Sequence, residues 1–121
     1  MTSPADLTGY ARRKTVELTT VGRRSGEPRK VVIWFVLDGP RTVLVQHVAR
    51  KPAQWYRNLS ADPRVRVDFG DGPIDARAEP ITDPAAVRAV IDRVGRKYWT
   101  YRLIRLFGGG TEGAVAARLE I

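Results

Sequence analysis

The sequence predicts a mainly β fold with some α: an antiparallel barrel of about six strands with two to three short helices, in one domain spanning residues 1–121. Three observations carry this. Short segments rich in Val, Thr and Ile alternate apolar and polar residues with a period of two. Clusters of Gly, Pro and Asp separate them as hairpin turns would. Helical spacing is clearest in only one stretch, after Asp83. Strands in meander order favour a closed barrel over an open parallel sheet.

The first strand is expected over 15–21, with Val16, Leu18 and Thr20 sharing a face. A strongly apolar strand follows over 29–37 and returns over 41–47 after the turn Asp38-Gly39-Pro40. Between 64 and 69, Arg64, Arg66 and Asp68 alternate with Val65, Val67 and Phe69, the pattern of a half-buried strand. Gly70-Asp71-Gly72-Pro73 turns the chain into a fifth strand over 74–79, and 114–121 closes the set. Asp83 is a natural N-cap with Pro84 at the first helical position, ahead of Val87, Val90, Ile91 and Val94 at helical spacing. A shorter helix starts near Pro52, carries Trp55 and Leu59, and stops at Asp62-Pro63. A third is expected over 95–107, with Trp99, Leu103 and Leu106 inward, broken by Gly108-Gly109-Gly110.

Composition narrows the chemistry. Apolar residues make up 43% of the chain and charged residues 28%, as in ordinary globular proteins. With no cysteine and a single histidine, His47, thiolate chemistry and multi-histidine metal centres are excluded, and no metal site is expected. His47 itself, with no acidic residue at triad spacing, reads as structural. The longest apolar run, 31–37, is too short to span a bilayer, and residues 1–7 lack the layout of a secretory signal, so a cytoplasmic protein is expected. The net charge of +8, from 17 Arg and 4 Lys against 13 acids, calls for an anionic partner: nucleic acid, an acidic membrane surface or a phosphorylated ligand. The charge is spread over separate segments without a nucleic-acid motif, so no specific nucleic-acid partner is expected.

Three stretches carry candidate site residues. Residues 22–30, Gly-Arg-Arg-Ser-Gly-Glu-Pro-Arg-Lys, hold four cations, two glycines and a serine between two strands. Such a loop can cradle a phosphate or polycarboxylate with its amides, hydroxyl and guanidinium groups, or it is a solvated hairpin tip. In residues 51–59, Trp55 is either an aromatic wall for a planar ligand or a core residue, with Lys51 as a cation near the helix start. Asn58 and Asp62 read as capping and turn residues. In residues 97–102, Tyr98 and Tyr101 lie near one helical face, bordering a pocket or packing in the core.

The string from Leu18 to Arg29, then Asp38-Gly39, Trp55-Tyr56-Arg57-Asn58-Leu59 and Asp62-Pro63-Arg64-Val65-Arg66-Val67, resembles the deazaflavin-dependent nitroreductase family. Its members are mostly actinobacterial and belong to the flavin/deazaflavin oxidoreductases of split β-barrel fold. The resemblance implies coenzyme F-420, whose tail carries a phosphodiester and a polyglutamate, with FMN as the alternative. It makes Arg23, Arg24, Ser25 and Arg29 the binders of that tail. Val32, Ile33 and Trp34 would lie along the deazaflavin, Trp55 beside it, and Tyr98 and Tyr101 at the substrate pocket as catalytic residues. Between the third strand and the tryptophan helix this chain departs from the family pattern: Gln46-His47-Val48-Ala49-Arg50 is short and lacks the usual glycines and lysine.

The activity implied is hydride transfer from the reduced deazaflavin to an electron-poor small molecule such as a quinone, enone or nitroaromatic. The competing expectation is a non-catalytic split-barrel protein binding an acyl chain or another anionic small molecule. A homodimer and contact with the inner membrane face accompany the resemblance as further expectations.

Overall fold

The computed structural model describes residues 6–48, 52–98 and 113–121. After a 3-10 turn at Thr8–Tyr10, the elements are β1 (Val16–Val21), β2 (Pro28–Ile33), β3 (Phe35–Leu37), β4 (Thr42–His47), α1 (Gln54–Ala61), β5 (Arg64–Asp68), β6 (Pro73–Ile81), α2 (Pro84–Lys97) and β7 (Val115–Glu120). The strands form one antiparallel sheet in the order β2-β1-β5-β6-β7-β4-β3. Its two edge strands, β2 and β3, are consecutive in the chain, so the sheet curls into a half-barrel whose edges approach at Trp34.

That junction corrects the expected strand count from six to seven. The apolar run 29–37 is two strands, because residues on either side of Trp34 pair with different neighbours: Ile33 with Val16 of β1, Phe35 with Val45 of β4. The end of α2 secures the break. The Tyr98 ring stacks on Trp34 with centroids 4.3 Å apart. Its hydroxyl accepts from the Phe35 N–H at 3.3 Å and donates to the Lys14 carbonyl at 2.6 Å. Lys97 Nζ donates to the Phe35 carbonyl at 3.0 Å and lies 3.6 Å from the centroid of the Phe35 ring. Backbone groups beside the break thus gain side-chain partners, as buried polar groups require.

Inside the curl, Val16 and Leu18 of β1, Val43 and Val45 of β4, Val65 and Val67 of β5, and Leu119 of β7 pack with Phe35 and with Trp55 and Leu59 of α1. Helix α2 covers the other face of β3, β4 and β7, burying Val87, Val90, Ile91 and Val94 against Val36, Leu44 and Ala116. Each such side chain contributes about 1.5–3 kcal/mol of hydrophobic stabilisation. Strands covered on both faces lose the period of two, which is why Val43, Leu44 and Val45 are all buried. Asp83 caps α2 by accepting from the Ala86 N–H at 3.0 Å, with Pro84 in its first turn. The helix does not end before Gly95 as expected: Gly95 joins the buried face with Val87 and Ile91, and the helix runs on to Lys97. The remainder of the expected 95–107 helix lies outside the described residues.

Candidate functional site

The β1–β2 hairpin tip, residues 22–27, is built by its own sequence. Gly22 N–H donates to the Glu27 carbonyl and Gly26 N–H to the Gly22 carbonyl, both at 2.8 Å. Gly26 has φ +73°, a left-handed conformation that glycine adopts without the usual Cβ penalty. A Cβ at Gly22 would sit 2.7 Å from Ser25 Oγ and 3.0 Å from the Glu27 carbonyl oxygen, so a side chain there would displace the turn. Ser25 Oγ accepts from Glu27 N–H at 3.1 Å and from Arg29 Nη2 at 3.3 Å, holding the Arg29 guanidinium against the loop.

Arg23 points the other way, onto α1. Its backbone N–H and Nη1 donate to Asn58 Oδ1 at 3.3 and 2.8 Å, and its Nη2 donates to Gln54 Oε1 at 2.8 Å. Asn58 Nδ2 in turn donates to Thr20 Oγ1 of β1 at 3.1 Å. Asn58 and Thr20 are both buried, so this clamp ties strand, loop and helix together with satisfied polar groups. All its acceptors are neutral amide or hydroxyl oxygens, leaving the charge of Arg23 uncompensated. Asn58 is therefore a connector rather than the expected cap. Asp62 does act as a turn residue: it follows α1, accepts from the Arg64 N–H, and its bidentate Arg64 contact holds the carboxyl down at about 2.

These elements border a cavity of about 710 Å³. Arg23, Arg24, Ser25, Arg29 and Lys30 of the hairpin line it, together with Val31 and Ile33 of β2, His47 of β4, and Pro52, Ala53 and Trp55 at the start of α1. Among the described residues no carboxylate lines it. Among the described residues, Lys30 has an ion pair with Glu17 at 3.8 Å. Clustered, unneutralised guanidinium groups attract phosphate and carboxylate, while an apolar and aromatic wall accepts a planar ring. The donor set fits an anionic tail joined to a flat heterocycle.

The expected site residues divide accordingly. Arg23, Arg24, Ser25, Arg29, Ile33 and Trp55 lie on the cavity. Trp55 is both wall and core, only 7% exposed. Val32 does not reach the cavity; it faces outward and is 63% exposed. Side chains alternate along a strand, so Arg29, Val31 and Ile33 share the cavity side, and Val31 takes the place expected of Val32. Trp34 and Tyr98 stack on each other at the β2–β3 junction, and neither is among the cavity-lining residues. Burial pushes the Tyr98 phenol above its ordinary range, partly opposed by its hydrogen bond from Phe35. Lys51 and Tyr101 lie outside the described residues. Thr20, Val31, His47, Gln54 and Asn58 join the wall unforeseen. The period-two series 43, 45, 47 leads to His47, and helical spacing puts Gln54 and Asn58 on one side of α1 with Trp55.

Solved structures share this architecture. One of an F420-H2-dependent reductase aligns at 24% identity with a TM-score of 0.65, covering 89% of this chain and 95% of that one. A conserved hypothetical protein from Mycobacterium tuberculosis aligns at 23% identity and TM-score 0.67, covering 98% and 84%. A domain-swapped dimer aligns at 22% identity and TM-score 0.69, covering 89% and 81%. At these identities the likeness is one of fold. A sequence model of the F420H(2)-dependent quinone reductases matches residues 7–103, most of the chain and all of the loop, strand and helix that wall the cavity. The chain belongs to the F420H(2)-dependent quinone reductase family.

Proposed function

We propose that this protein binds F-420 in the 710 Å³ cavity and directs its hydride to a quinone, with Arg24 and Arg29 facing the anionic tail and Ile33 and Trp55 bordering the deazaflavin. The carrying observation is the make-up of the cavity, which joins the cations of the hairpin to apolar and aromatic residues with no carboxylate among its described lining residues. Bound in its reduced form, the coenzyme supplies a hydride, because a carbon in place of the flavin N5 disfavours one-electron chemistry.

The chain's own part is binding, orientation and exclusion of water. Arg24 and the Ser25-held Arg29 offer charge-assisted hydrogen bonds to the tail. Arg23, fixed by Asn58 and Gln54, adds positive potential and keeps the loop seated on α1. Tyr98 acts at one remove, securing Phe35 and Trp34 at the end of the strand that carries Val31 and Ile33. Among the described residues no helix is long and apolar enough to cross a membrane. The domain-swapped dimer of like fold supports reading this chain as a homodimer.

Parallel titration with F-420 and FMN, followed by absorbance and fluorescence, tests the proposal. Saturable binding of F-420 with none of FMN is expected. FMN binding with no response to F-420 would overturn it.

A further inference from the structure

We propose that His47 is the proton donor to the quinone, a role resting on the cofactor reading above. Reducing a quinone to a hydroquinone takes a hydride and a proton, so the cavity needs an acid near the acceptor as well as a hydride source. Tyr98 is engaged elsewhere: its hydroxyl donates to the Lys14 carbonyl and accepts from the Phe35 N–H, outside the cavity wall. Arginine does not release its proton at physiological pH, and Lys30, the sole lysine among the described wall residues, pairs with Glu17. Among the described wall residues, His47 is the one remaining side chain that can both give and take a proton.

Position supports the role. Val43 and Val45 of β4 face the barrel interior, and His47 continues that alternation into the cavity. Ile33 of β2 and His47 of β4 both line the cavity. Ile33 lies four residues along β2 from Arg29, about 13 Å at strand rise. His47 thus shares one cavity with Ile33, the wall residue of β2 remote from Arg29, and the proposal sets the acceptor oxygen against its imidazole. The charged groups sharing the wall are Arg23, Arg24, Arg29 and Lys30. The flanking strands turn Phe35, Ala117 and Leu119 inward, and α1 presents neutral Gln54 and Asn58.

In the step proposed, reduced coenzyme held in the cavity would supply the hydride and with it two electrons. The N–H bond of the His47 imidazolium breaks as an O–H bond forms on the quinone oxygen, and the imidazole then recovers a proton from solvent. One hydride and one proton yield the hydroquinone.

The chain contains one histidine, so in the untagged protein its imidazole NMR resonance is unambiguous. Saturation with oxidised F-420 and menadione, a pair that cannot turn over, should move the titration midpoint of that resonance by about half a pH unit or more. In stopped flow, His47→Gln and His47→Ala should slow hydride transfer from reduced F-420 to menadione by about tenfold or more and lose the pH limb of the wild type. F-420 affinity measured in parallel separates a binding defect from a slowed step, and imidazole should restore part of the His47→Ala rate. An unmoved resonance, or a folded variant with the wild-type rate and pH profile, would overturn the assignment. Should the wild type bind no F-420, the cofactor reading fails first and this role with it.

Discussion

Replacing Arg24 or Arg29 by alanine takes a cation from the cavity while leaving the scaffold in place. Arg24 is exposed and has no hydrogen bond or ion pair among the described residues, and Arg29 gives a single 3.3 Å bond to Ser25 Oγ. Stability should therefore change by no more than about 0.5 kcal/mol in either variant. Binding should respond far more. A charge-assisted hydrogen bond to the coenzyme tail is worth about 1.5–3 kcal/mol, and each 1.4 kcal/mol is tenfold, so Kd should rise by about ten- to a hundredfold. Fluorescence titration of F-420 against each variant, paired with denaturant midpoints, separates the two effects. Raising salt from about 0.05 to 0.5 M should weaken wild-type binding and narrow the gap to the variants, since screening acts on the same attraction. A deazaflavin lacking phosphate and glutamates should bind all three proteins alike. Unchanged F-420 affinity in both variants would reduce the loop to a solvated hairpin and remove the main support for the cofactor site.

Other perturbations probe the surrounding framework. Asn58→Leu should cost about 1–3 kcal/mol in urea denaturation, because buried Thr20 and half-buried Arg23 lose their shared partner, and F-420 binding should weaken with the unseated loop. An unaltered unfolding midpoint would deny the clamp its role. Trp55→Ala should lower stability by about 3–5 kcal/mol, as for other large buried aromatics, and also weaken F-420 at temperatures where the variant is folded. A purely thermal effect would make Trp55 core alone. Burial lowers the Lys97 ammonium from 10.5 to about 8. Between pH 8 and 10 the unfolded chain then holds a proton that the folded chain has released, so wild-type stability should rise through that window relative to Lys97→Met. Parallel pH curves for the two would show that the Phe35 carbonyl and ring hold Lys97 charged.

The sequence by itself determined the local structure and the chemistry of the loop. Period-two alternation placed Val16, Leu18, Val65 and Val67 on one side of their strands, and each is buried as that pattern requires. Asp83 and Pro84 marked the start of α2, because capping depends on neighbours within four residues. Gly22, Ser25, Gly26 and Arg29 specify the turn through bonds that never leave the hairpin, so its geometry and its cluster of cations were legible as a string.

Tertiary structure alone decided what depends on residues far apart in the chain. The break at Trp34 is invisible in an unbroken apolar run, because it exists only where β2 and β3 find different partners and Tyr98 arrives 63 residues later to bond Phe35. The exchange of Val32 for Val31 in the cavity wall turns on which face of β2 lies inward, a choice that alternation leaves open where the whole run is apolar. Asn58 could not be told from an ordinary helix-end residue until the fold set it beside Thr20 and Arg23, 38 and 35 residues away. His47 likewise lacks a nearby acidic partner in sequence, yet β4 ends at the cavity and carries it there. Short-range bonds are written in adjacent letters, whereas a binding cavity is closed by segments whose proximity follows from burying the core, which many sequences can do in the same way.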